Sequence, residues 1–427
     1  MRRLAVTSVE GTVAGAPYGN DGRSGAYRVS GLPDQAQVAW TAPTGSPVVA
    51  SPALAGDALI VATAGNLDAD GAVHAFDANT GDERWRHVYR NCLDEGLEIH
   101  DDWLVDVDDD VPGVIAAPAV WGPWVFVEEW RTSRRIYVHD LRSGEVVHTI
   151  ERGGTPTVVG DLLLIHEVEA GARALWLPDL TEAWRGVRGE GGVQSDGWLR
   201  ACPAFGPDGT AYAALGGWHG VPRSGIVGFD PATGTVLFEH DGADETFFAL
   251  GHPVVAEGLV WTQVDEDVVG MDSATGEPRR RHRPTARMHG RAVTVADGMI
   301  FVVDRPMRSP FGNDEHLQAI DSTSGRLRWS APLVPAGSPG DLQVVGSPVV
   351  AGGAIYVADT SGVVRAFGAG TGQVRWAVET GHRIGNAYDD VLMSQQGESW
   401  FDEDAQAVLP GDGIIYARTN TGVVALR

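Results

Sequence analysis

The sequence predicts an all-β fold, an eight-bladed β-propeller built from four-stranded antiparallel blades, and three observations carry that prediction. A pattern recurs about every 40 residues, the period of propeller blades. The apolar runs are short and rich in Val, Ile and Trp, which suits strands better than helices. The 427 residues include 56 glycines and 24 prolines, enough to punctuate turns between many such runs. With 43% hydrophobic and 21% charged residues, the chain can bury a large core and is not compositionally disordered. Its length would ordinarily imply two or three domains, but each repeat adds a layer to one continuous core. A single propeller over 37–427 follows, with 1–36 as an N-terminal extension of open role.

Each copy opens on a small residue and Pro, followed by an apolar pair, a Gly/Asp turn and a strand such as AIYVA. A variable loop follows, then a strand ending in Asp-x-x-Thr-Gly and a Trp strand. The clearest copy runs from Ser347 to Val378, and others begin at Ser51, Ala117, Thr155, Cys202, His252 and Arg291. The turn signature recurs at Asp77–Gly81, Asp140–Gly144, Asp230–Gly234, Asp272–Gly276 and Asp321–Gly325. It predicts a tight turn in which Asp caps backbone N–H groups and Gly takes a positive φ. Two turns are degenerate: Gly368 stands where one Asp would fall, and the copy at Thr155 has Asp179 without a Gly. An eighth copy starts at Gln406 and stops at Arg427 before any Trp strand. Gln37–Ala42 (QVAWTA) matches the missing strand, so the eighth blade is predicted to be shared between 37–42 and 406–427. Such closure removes exposed sheet edges.

These residues resemble the PQQ-like (pyrroloquinoline-quinone-like) repeat family over 37–427. The tryptophan-docking motif, kept best as AFDANTGDERW at 75–85, carries the resemblance. Trp329 and Trp376 sit at the matching ends of their repeats, and Phe238 and Arg280 replace Trp elsewhere. Interblade packing is the expected role of these tryptophans. In the family's quinoprotein dehydrogenases the resemblance would imply a vicinal Cys–Cys pair over the cofactor and a tryptophan floor. Cys92 and Cys202 are the only cysteines and lie far apart, so no quinone cofactor is expected.

The long connections, 91–116, 188–200, 215–225, 304–316 and 381–405, fall between second and third strands or between blades, and therefore on one face. Long loops gathered on rigid strands are the usual setting for binding and catalysis. Each innermost strand starts on that face, beside the channel. Its opening residue is Ser51, Ala117, Thr155, Cys202, His252, Arg291, Ser347 or Gln406 in ring order. Cys202, His252 and Arg291 fall on consecutive blades and could supply a nucleophile, an acid or base, and an anion clamp. The plainer alternative is that they fill the channel mouth. Tyr388 and Asp389 join the catalytic candidates, and Asp390 is their neighbour. Trp198, Arg200, His289, His382, Arg383, Trp103 and His100 are the substrate-binding candidates.

Asn66-x-Asp68-x-Asp70-Gly71 resembles the start of a calcium loop, but the repeat register makes Gly71 a hairpin residue, so turn chemistry is favoured. Asp106, Asp108 and Asp110 are weak calcium ligands by type, and a solvated acidic loop is the simpler reading. No close histidine pair indicates zinc.

The formal charge of −25 disfavours nucleic acid and anionic membrane surfaces, and favours a neutral or cationic small molecule over a polyuronate. The one basic run, Arg279–Arg281 with Arg283, is expected on a solvated outer strand. The sequence shows no apolar signal stretch, from which a cytoplasmic location is expected. The sequence is read as a small-molecule-binding propeller, a cofactor-independent enzyme of lyase, isomerase or cyclase type working by acid–base chemistry at the long-loop face; the alternative is a non-enzymatic binding propeller like the family's scaffold members, holding a protein partner on that face.

Overall fold

The computed structural model describes residues 23, 25–32, 35–48, 50–64, 70–89, 117–129, 135–151, 153–167, 171–186, 203–215, 225–241, 249–264, 267–283, 293–304, 315–333, 344–385 and 406–427. They form eight sheets in a ring, each built on antiparallel strands that run in chain order from innermost to outer, except that the eighth takes its outer strand from Val38–Pro43 and the seventh gains a parallel inner strand. Blade one shows the plan: Ala53–Ala55, Ala58–Thr63, Gly71–Asp77 and Glu83–Tyr89. Its middle strands are buried along both faces, because each blade is packed between two others. Leu59, Ile60, Val61 and Ala62 are all fully buried. The outer strand meets solvent on one side and reads as a broken alternation instead.

Eight apolar clusters, each spanning two adjacent blades, make up the core. One joins blade eight to blade one through Leu409, Tyr416, Leu59 and Phe76, which closes the circle. Blade eight contributes Val408–Gly411, Ile414–Thr419 and Gly422–Leu426, and Val38–Pro43 pairs antiparallel with the last of these. Reciprocal bonds between Gln37 and Arg427, 2.8 and 2.9 Å, fasten the closing strand to its neighbour.

Most joints between blades follow one rule. A ring on the outer strand lies against the turn glycine of the following blade, and an N–H or O–H donates to the carbonyl just after the turn's first residue. Trp85 does both: its Nε1 donates to Leu141 O at 2.8 Å and its ring covers Gly144. A Cβ at Gly144 would stand 2.6 Å from that ring, and its φ of 73° independently favours glycine. Trp184 on Pro231 and Gly234, and Trp329 on Ala369 and Gly372, repeat the arrangement. Where Trp is replaced, two residues divide the work. Phe238 covers Gly276 while Tyr212 donates to Ser273 O at 2.9 Å. His282 covers Gly325 while Arg280 Nη1 donates to Ser322 O at 2.5 Å.

Asp caps the turns as the sequence predicts. Asp140 Oδ1 accepts from Arg142 N at 3.1 Å and Ser143 N at 2.8 Å, and these donors hold its carboxyl below the usual range. The turn at Gly368 keeps the same backbone closure without Asp, with Gly372 N to Gly368 O at 2.8 Å. In the copy at Thr155, Leu180 takes the positive φ, 56°, that glycine supplies elsewhere. The basic run lies on the outer strand Pro278–His282 and just beyond it. Arg281 and Arg283 pair with Asp267, and Arg279 with Asp272. No helix among the described residues is long and apolar enough to cross a membrane.

Candidate functional site: a channel threaded by the N-terminal segment

The innermost strands leave one backbone edge facing the ring axis, and in blade seven that edge is taken. Ala26 and Tyr27 form a short strand parallel to Val344–Ala351, in register with Val350 and Ala351, so this sheet alone has five strands. Val350 N donates to Gly25 O at 2.8 Å.

The segment is held by side chains from around the ring. Arg23, 4% exposed, donates from Nε to Pro203 O at 2.7 Å and from Nη2 to Thr157 Oγ1 at 3.4 Å, reaching blades four and three. Gly25 faces Thr294 of blade six, whose Oγ1 donates to Pro348 O at 2.5 Å. The Tyr27 hydroxyl donates to Gln406 Oε1 of blade eight, and Gln406 N donates to Ser51 Oγ at 2.8 Å. Further on, Ser30 binds Asp412 through its N and Oγ, and Leu32 N donates to Tyr356 OH at 3.1 Å. Asp412 and Gly352, which touches Gly31, lie in turns between first and second strands, on the face opposite the long connections. Residues 23–32 therefore run along the channel and leave on the short-turn face.

Of the predicted site residues, His252 lies on the innermost strand Ala249–Ala256 and is 5% exposed. His382 and Arg383 lie on the connector leaving blade seven. His382 Nδ1 meets Thr421 Oγ1 at 2.9 Å and Arg383 O accepts from Asn420 N at 3.0 Å, which ties the connector to a turn of blade eight. Cys202, Arg291, Tyr388, Asp389, Asp390, Trp198, Arg200, His289, Trp103, His100, Asp106, Asp108 and Asp110 fall outside the described residues. Asp70 is exposed, and among the described residues no group of three His, Cys, Asp or Glu side chains could hold a metal.

Two elements carry no trace in the repeat pattern. Arg418, fully buried, donates to the carbonyls of Val48, Gly385 and Gln406 at 3.1–3.3 Å and gathers three connectors on the loop face. A cluster of His87, Tyr89, Tyr137 and His139 fills the joint of blades one and two, with ring centroids 4.8–6.5 Å apart. His139 Nδ1 faces Gly144 O at 3.0 Å, so it carries the proton, and Nε2 accepts from Tyr89 OH at 2.7 Å. Burial pushes the His139 pKa down to about 4 and the Tyr89 hydroxyl well up.

Together these features define a repeat propeller with docked joints and a channel threaded by its own chain. The chain belongs to the PQQ_2 family, described as outer membrane protein assembly factor BamB, whose pattern matches residues 23–99, 69–246 and 222–426. A serine/threonine-protein kinase AfsK of Streptomyces griseus is 30% identical over 182 residues, covering 40% of this chain and 20% of the kinase. The dehydrogenase subunit of a quinone alcohol dehydrogenase of Komagataeibacter europaeus is 28% identical over 189 residues, 39% of this chain and 25% of that protein. BamB of Burkholderia pseudomallei (strain K96243) is 25% identical over 278 residues, 62% of this chain and 66% of that one. The alignments thus span a quarter or less of the kinase and dehydrogenase relatives. Among solved structures, the quinohemoprotein alcohol dehydrogenase of Comamonas testosteroni superposes with a TM-score of 0.68 at 15% identity, over 99% of this chain and 83% of that one. That likeness is one of fold.

The described residues do not fit a quinone. Of the described tryptophans, Trp40, Trp85, Trp184 and Trp329 are committed to turn glycines at blade joints, and Trp261 lies inside a blade with its Nε1 on Ala256 O, so none of these five is placed as the expected floor. Arg23, Gly25 and Tyr27 occupy the axis, and Cys92 and Cys202 are 110 positions apart in the sequence.

Proposed function

We propose that the protein is a non-redox binding propeller, a scaffold whose long-connection face holds a protein partner. The observation that carries this reading is the threaded channel: residues 23 and 25–32 contact five blades across the axis, where an axial substrate would have to enter. Composition supports a basic partner. The connection 91–116 contains Asp94, Glu95, Glu98, Asp101, Asp102, Asp106 and Asp108–Asp110 with no Lys or Arg, and 386–405 adds Asp389, Asp390, Glu398, Asp402, Glu403 and Asp404. The BamB relative, which shares the largest part of this chain among the three described, is named for an assembly factor.

A second reading keeps the small-molecule enzyme, of lyase, isomerase or cyclase type. It is favoured by the place of His252 on an innermost strand, between the blades opened by Cys202 and Arg291. It requires residues 23–27 to leave the axis. A thermal-shift screen of neutral and cationic metabolites against wild type and His252→Ala separates the two. The scaffold reading expects no metabolite to raise the Tm, whereas a shift in wild type that His252→Ala abolishes would transfer the function to the channel.

A further inference from the structure

We infer that the channel is a peptide-binding site, held in cis by residues 23–32, for an extended segment of a partner protein with the pattern Arg-x-Gly-small-Tyr. This goes beyond the loop-face reading, because it places a second surface inside the ring.

The contacts of the segment are those of a recognised peptide. Its backbone adds a strand to an open sheet edge, with Val350 N on Gly25 O at 2.8 Å and Ala26 and Tyr27 in parallel register with Val350 and Ala351. Strand addition of this kind supplies affinity through the main chain, while pockets for alternate side chains supply specificity. The pockets here come from separate blades: Pro203 O and Thr157 Oγ1 for the Arg23 guanidinium, and Gln406 Oε1 for the Tyr27 hydroxyl. Between them the site demands glycine. A Cβ on Gly25 would stand 2.7 Å from Thr294 Oγ1 and 2.9 Å from Thr294 Cγ2, and its φ is 71°. Thr294 is itself pinned to Pro348 O, so it has little room to yield.

The segment is also separable from the ring. Closure is made by Val38–Pro43 against Gly422–Leu426, and six of the eight apolar clusters contain no residue of the segment; Leu32, Tyr27 and Val29 pack into the cluster of blades seven and eight, and Tyr27 also against that of blades eight and one. Charge favours a cationic occupant, since the chain carries −25 overall and an arginine already sits on the axis. A tethered segment competes at a local concentration on the order of millimolar, so a free peptide enters only when the tethered copy is weakened.

The test uses the full chain and a fluorescent peptide of residues 20–36, read by anisotropy. Wild type is expected to bind weakly or not at all, and Gly25→Val to bind the peptide at least tenfold more tightly than wild type. The same peptide carrying Gly25→Val or Arg23→Ala should lose at least fivefold against that variant. Equal binding by wild type and variant, or no binding by a variant shown to be folded by circular dichroism, overturns the inference. Should Gly25→Val fail to fold, an Arg23→Ala/Tyr27→Ala chain takes its place, and failure of both makes the segment an inseparable part of the core, which also overturns it. A wild-type dimer that dissociates with Gly25→Val assigns the groove to a second copy and overturns the partner reading.

Discussion

The outer belt of blade joints and the inner channel are stabilised by opposite strategies. Along the belt one contact is reused: an aromatic or imidazole ring over a turn glycine and one donor on a turn carbonyl, with Trp85, Trp184 and Trp329 in the full form and Phe238/Tyr212 or His282/Arg280 in divided form. In the channel no side-chain contact repeats: Arg23 reaches blades three and four, Gly25 lies on Thr294 of blade six, and the Tyr27 hydroxyl reaches blade eight, each through different chemistry. Repetition gives stability that is shared among joints; single-use contacts can be lost without opening the ring. The belt belongs to the fold, and the channel segment is where function can be added.

The largest expected effect comes from breaking a full joint. Trp85→Ala should cost about 3–4 kcal/mol in urea unfolding, because it removes a buried ring together with its hydrogen bond. Acid should act nearly as strongly at the same joint. His139 stays neutral in the folded state down to about pH 4, whereas the unfolded chain takes up the proton near its ordinary value of 6.5. Its stability contribution is therefore complete above pH 6.5, is lost as the pH falls towards 4, and is worth about 3 kcal/mol. Urea midpoints measured across that window should fall in wild type and fall less in His139→Gln. Asp77 and Asp140, whose carboxyls are held low by Arg84 and by the Ser143 backbone N–H, add their losses only below the usual carboxylate range.

Smaller effects sharpen the contrast. Arg23→Ala should lower stability by about 1–2 kcal/mol through the lost charged hydrogen bonds while leaving the ring closed, which small-angle scattering would register as an unchanged radius of gyration. The smallest effect is expected at the joint of blades two and three. There His148 occupies the Trp register opposite Val138 and is exposed, and Leu180 replaces the turn glycine. His148→Ala should change stability by less than about 0.5 kcal/mol. A cost similar to that of Trp85→Ala would show that ring closure, and not docking, sets the strength of the joints.

The belt was legible because repetition exposes its chemistry: Asp77, Gly81 and Trp85 recur in register, and the strand at 37–42 announces itself by matching a missing repeat. Even the replacements at Phe238 and Arg280 could be located, although their partners Tyr212 and His282 could not, since those lie on other strands or two positions along. The channel left no such trace. Arg23 and Thr157 are 134 positions apart and Tyr27 and Gln406 are 379 apart, and each contact is made once. One clue was available: a closing strand that starts on the short-turn face must be reached from that face, and the axis is one of the few routes to it. The arc of Cys202, His252 and Arg291 was legible only as topology. The structure describes His252 of the three, buried on its innermost strand, with Arg23 bonded to Pro203 two blade-starts away from Arg291.

Peptide-resolved hydrogen exchange over residues 344–351 tests the threaded channel most directly. In wild type the Val350 amide, which donates to Gly25 O, should exchange as slowly as the amides inside the blade, and Gly25→Val should speed its exchange at least tenfold while those of Ala354–Asp359 stay protected. Fast exchange at Val350 in the wild-type protein would contradict a channel occupied by its own N-terminal segment.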